Sequence, residues 1–151
     1  MPEGREDILS ATDAMQKPPT DSTNPADVLK EVYFMGLESS PDAIVIINAR
    51  GEVVVFNHQA ELMFGYNRAE VLGSKVEKLL PATLRATHVN HRDGYMSYPK
   101  VREMGIGRVL MGLHRSGKEF SVQISLGPLM PIGGPHAMAV IRRVDNVAEK
   151  I

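Results

Sequence analysis

The spacing of apolar residues changes several times along this chain, and each change marks an element. Residues 1–24 show no period and are rich in Pro, Ser, Thr and Asp. Such a segment buries too little apolar surface to offset its ordering entropy, so a disordered arm is expected. Asn24-Pro25 then reads as an N-cap followed by proline at the first helical position. Val28, Leu29, Val32, Met35 and Gly36 follow at helical spacing, with Tyr33 beside them, which predicts an amphipathic helix over about 25–38.

From Ser40 onward the pattern is that of a compact domain. Ala43 to Ile47 is a β-branched run and reads as a strand. Asn48-Ala49-Arg50-Gly51 is a turn, and Glu52 to Phe56 returns as a second strand, giving a hairpin. Asn57 caps a short helix carrying Ala60, Leu62, Met63 and Phe64, which Gly65 ends. Asn67-Arg68-Ala69-Glu70 has capping-box spacing and opens another turn. Lys75 to Leu80 adds one more, and Thr83 to about Tyr95 is the longest helical stretch of this half. After a loop over 99–107, strands are expected at 108–114, 120–126 and 136–144, the middle one alternating cleanly through Phe120, Val122, Ile124 and Leu126. Strands split by a helical block imply an α+β fold, an antiparallel sheet with helices on one face and room for a ligand between them.

Composition narrows the function. The length of 151 residues suits one domain, with 43% hydrophobic and 23% charged residues. The net charge of −1 gives no field that would favour nucleic acid or a membrane surface. The start Met1-Pro2-Glu3-Gly4-Arg5 is no secretory signal, and no apolar run nears the roughly 18–20 residues needed to span a bilayer. A cytoplasmic protein is expected. The absence of cysteine excludes disulfides, thiolate metal sites and cysteinyl-flavin photochemistry. No nucleophile–base pair, phosphate loop or carboxylate dyad stands out, so catalysis within the chain is not expected. His88 and His91 are spaced like two ligands on a helix, but a third zinc ligand is not evident nearby.

The order of elements, with Ser40-Pro41-Asp42-Ala43, Gly51, Asn57, Ala60-Glu61-Leu62-Met63-Phe64-Gly65-Tyr66, Glu70-Val71-Leu72-Gly73, Leu80-Pro81 and Arg115-Ser116-Gly117-Lys118, resembles the PAS (S-box) family across roughly residues 36–146. The resemblance implies a five-stranded antiparallel sheet with short helices on one face. It also implies a sensory role in signal transduction, with no enzyme activity in the domain itself. The implied division is an arm at 1–24, a helix at 25–38, a PAS domain at 39–146 and the start of a linker at 147–151. The stripe of the helix at 25–38 packs on its own domain or on a second copy; a homodimer and an output domain or partner protein are the expected partners.

The segment Leu84 to His91, with Met104-Gly105-Ile106-Gly107-Arg108 downstream, is similar to the haem-binding branch of PAS domains. That branch is found in oxygen-sensing histidine kinases of two-component systems and in a haem-regulated phosphodiesterase. It implies His88 as the proximal ligand of a haem b iron and Arg108 on the distal side or the haem edge. Ile124 and Leu126 would form an apolar distal wall. The sequence departs from the pattern at Arg102 and Glu103, where an apolar wall would suit a porphyrin better, and at Gly94, where a larger residue is frequent. The other reading is a PAS module that binds a metabolite or no ligand and serves in dimerisation and protein–protein interaction.

Overall fold

The computed structural model describes residues 24–102 and 109–144. The expected arm at 1–24, except Asn24, the linker at 147–151 and Arg108 lie outside the described residues. The chain divides after Ser40 into two units.

The first unit is helix α1, Pro25–Ser39. The Asn24 side chain accepts a hydrogen bond from the Ala26 amide at 2.9 Å, and Pro25 occupies the first turn, where its missing N–H costs nothing. Val28, Leu29, Val32 and Met35 are each about half exposed.

The second unit is built on a five-stranded antiparallel sheet in the order β2-β1-β5-β4-β3. Its strands are β1 Ala43–Asn48, β2 Val53–Phe56, β3 Leu110–Leu113, β4 Glu119–Leu129 and β5 His136–Arg143. Between β2 and β3 run helices α2 His58–Phe64 and α3 Arg68–Val71, two 3-10 turns, Val76–Leu79 and Ala82–Leu84, and helix α4 Arg85–Ser97. Directly paired residues of antiparallel strands share a face. The register Ala43↔Ile141↔Ile124 and Val45↔Ala139↔Leu126 therefore puts these residues on one face, the inner one. The core lies there, with Val45, Phe56, Phe64, Val71, Leu79, Phe120 and Val122 buried together.

Asn57 ties the two layers together. Its buried Oδ1 accepts from the Ala60 amide at 3.0 Å, capping α2, and from the Ile44 amide of β1 at 2.8 Å. Its Nδ2 donates to the Asp42 carbonyl at 3.1 Å. Gly65 ends α2 at φ 79°, a left-handed conformation, and any side chain there would collide with the His114 ring.

Four expectations need correction. Asn67 makes no capping bond to α3; the Arg68 amide instead donates to Glu61 Oε2 at 2.7 Å, so a carboxylate from α2 caps α3. The β1–β2 register shifts between Ile46 and Ile47, which lets both Val53 and Phe56 point inward while Val54 is exposed. The helical stretch from Thr83 opens as a 3-10 turn before α4 begins at Arg85. Ile124, paired with the buried Ile141, packs against the core but is only half-buried. Ile44 and Ile46 are also buried, but on the outer face, opposite Val140 and Met138.

Candidate functional site

The candidate site begins with the inward face of α4. His88, Arg92 and Tyr95 stand at i, i+4 and i+7, so they share one face of the helix. Arg92 and Tyr95 are buried and His88 is one-third exposed. His91 lies outside this stripe and is exposed. Helical phase therefore sets His88, the histidine that the resemblance singles out, apart from His91.

His88 Nδ1 lies 2.6 Å from Glu77 Oε2. Glu77 sits in the first 3-10 turn, Val76–Leu79, and is 6% exposed. Arg92 holds the same carboxylate with both arms, Nε to Oε2 at 3.1 Å and Nη2 to Oε1 at 3.3 Å. Burial pushes the Glu77 carboxyl upward, but the hydrogen bonds and charges of Arg92 and His88 outweigh it and hold the group below its ordinary value. Sequence reasoning missed Glu77: Lys75 to Leu80 reads as one more helical turn, and nothing local links its one carboxylate to His88.

At the other end of the stripe, the Tyr95 hydroxyl is buried and lacks a hydrogen-bond partner among the described residues. Burial raises its pKa, and the positive charge of Arg102 partly opposes this. The Arg102 guanidinium lies 5.6 Å from the centre of the Tyr95 ring. The Arg102 backbone pairs with Leu126, both bonds 2.9 Å, so Arg102 links this end of α4 to β4. Ile124 and Leu126 are half-buried on the inner face of β4, beside the small Ala137 and Ala139. His88 thus faces Glu77 of the 3-10 turn, while Ile124 and Leu126 lie on the inner face of β4.

The profile of the PAS fold family matches residues 33–144. This chain belongs to the PAS family.

Among curated relatives, this PAS domain is 30% identical over 106 residues to Sensor protein FixL of Bradyrhizobium diazoefficiens, a match covering 70% of this chain and 21% of that protein. It is 31% identical over 123 residues to Oxygen sensor protein DosP of Escherichia coli, covering 82% of this chain and 15% of that one. The chain therefore spans about a fifth or less of the length of either relative. Among solved structures, a PAS domain from Colwellia psychrerythraea superposes with a TM-score of 0.65 at 18% identity, covering 78% of this chain and 98% of that one. An RNA-binding Light-Oxygen-Voltage receptor gives 0.66 at 19% identity, covering 85% of this chain and 36% of that one. At these identities the structural matches speak for the fold alone.

The remaining histidines of the PAS domain have local roles, His136 with its Nδ1 2.9 Å from the Gly134 carbonyl. His114 Nδ1 accepts from the Ser116 amide at 3.1 Å in the β3–β4 turn, and His58 lies 3.5 Å from Glu61 on α2. Among the described residues, no three His, Asp or Glu side chains are grouped to hold a metal ion, and no helix is long and apolar enough to cross a membrane. A groove of ≈ 360 Å³ is lined by Ser125, Gly127, Met138 and Val140 with Val101, Arg102 and Leu126. The register puts the first four on the outer face of the sheet, away from the stripe of His88.

Proposed function

We propose that this PAS domain binds haem b through His88 and senses oxygen or another diatomic gas. The observation that carries the reading is the stripe on α4: His88 shares the inward face with two buried residues, whereas His91 does not. The residues fit the group. A neutral imidazole on a helix is a suitable axial ligand, and an engaged Nδ1 leaves Nε2 as the coordinating atom. The orphaned Tyr95 hydroxyl and the Arg102 cation offer polar partners at the other end of the stripe. Ile124 and Leu126 supply apolar surface over a floor of Ala137 and Ala139. When bound, the iron supplies an open coordination position for the gas. Arg108 provides a charged donor for that gas or for a propionate.

The signal passes from this site to an output domain or partner protein in the cytoplasm. The apolar stripe Val28, Leu29, Val32 and Met35 on α1 pairs with a second copy, giving a homodimer.

Reconstitution with haem tests the reading. A Soret band is expected in the wild type, severe loss in His88→Ala, and little change in His91→Ala. Arg108→Ala keeps haem but releases oxygen faster. A wild type without a Soret band would overturn the haem reading in favour of a metabolite-binding or ligand-free module.

A further inference from the structure

We propose that Glu77 is a positioning residue for His88: its carboxylate sets the tautomer and direction of the imidazole and, through Arg92, anchors them to the β1–β2 turn. The role toward iron rests on the haem reading above; the role in the free protein does not.

A carboxylate can only accept hydrogen bonds. With Glu77 Oε2 2.6 Å from Nδ1, a neutral His88 carries its proton on Nδ1 and its lone pair on Nε2. An imidazole held this way cannot flip without losing a charge-assisted bond. Glu77 is itself immobilised by the two-armed contact from Arg92. Arg92 in turn packs against Gly51, which carries no side chain, and the Gly51 carbonyl accepts from the Val76 amide at 2.9 Å, one residue before Glu77. Asp93 Oδ1, 3.5 Å from Arg92 Nη1, is the other charged group facing this cluster.

Stability alone does not account for the arrangement. A buried ion pair is often no better than apolar residues of the same volume, because desolvation offsets the attraction. The His88 contact is the part that apolar residues could not reproduce. Carboxylates placed behind a ligating histidine raise its basicity and fix its ring, and their loss typically costs about 10–100-fold in metal affinity.

The test uses two variants. Glu77→Leu/Arg92→Met replaces the pair by apolar side chains of similar bulk, and Glu77→Gln keeps the shape while removing the charge. In haem-free protein at mildly alkaline pH, imidazole nitrogen NMR should show His88 protonated on Nδ1 in the wild type and mainly on Nε2 in the double variant. With haem, the double variant should bind about 10–100-fold more weakly. Glu77→Gln should lower the iron–imidazole stretching frequency of the ferrous form. An unchanged tautomer in the double variant would overturn the positioning role. So would haem affinity and stretching frequency equal to wild type. A wild type that takes no haem defeats the haem reading, while the tautomer measurement still decides whether Glu77 orients His88.

Discussion

Gly51 makes room for Arg92. A Cβ at Gly51 would overlap the Arg92 guanidinium, and the residue also sits at φ 78°. Gly51→Ala therefore strains the backbone and displaces a buried cation from Glu77. Gly73 offers a control: its φ is 84°, but nothing lies within 4 Å of its Cβ position. Both alanine variants carry the cost of a left-handed backbone, about 1–2 kcal/mol. Urea unfolding should show a clearly larger loss for Gly51→Ala. Equal losses would mean that Arg92 relocates freely.

Asn57→Ala removes the cap of α2 and leaves the Ile44 amide of β1 without its acceptor. The loss should be roughly 2–4 kcal/mol by chemical denaturation. Asn57→Asp should not restore stability fully, since it keeps the acceptor but loses the bond to the Asp42 carbonyl and introduces a buried charge.

Glu77 and Glu61 both have carboxyls held below the ordinary value of 4.5. For Glu61, burial opposes the shift, and the bonds from Arg68 and His58 overcome it. A lowered folded pKa means that the unfolded chain binds more protons as the solution is acidified. Their stabilisation is complete above about pH 4.5 and is lost as pH falls through the lowered folded values. Unfolding measured from pH 6 downward should show this decline, with a shallower slope in Glu77→Gln.

Val122 and Ile124 share the inner face of β4 but differ in cover: Val122 is 2% exposed, and Ile124 is half-buried. An unpaired charge is costly only where water is excluded. Val122→Asp should prevent folding, whereas Ile124→Asp should leave folded protein with a lowered melting temperature. If the proposed haem site is correct, Ile124→Asp should also perturb the visible spectrum.

Removal of residues 1–38 takes away the α1 stripe and should weaken the proposed homodimer. Sedimentation of the intact chain as a monomer at high micromolar concentration would refute the dimer.

Much of this fold is legible in the amino-acid order. Alternation through Phe120, Val122, Ile124 and Leu126 marks β4 and its inner face. Asn24 and Asn57 cap the helices that follow them, because a short side-chain acceptor before a helical run satisfies amides that would otherwise be unbonded. Gly51, Gly65 and Gly117 lie where the chain needs positive φ. These signals are local, and local chemistry is what a sequence displays.

The candidate site divides along the same line. The sequence by itself determined that a histidine pair lies on the long helix, that cysteine chemistry is absent, and that the domain has the PAS order of elements. Only the tertiary structure decided which histidine faces inward and that Glu77 meets it. It also brought Arg92 to Glu77, 15 residues away, over a glycine in the β1–β2 turn, and set Glu61 rather than Asn67 at the start of α3. Each of these depends on how one element packs against another, and neither periodicity nor capping preference carries that information.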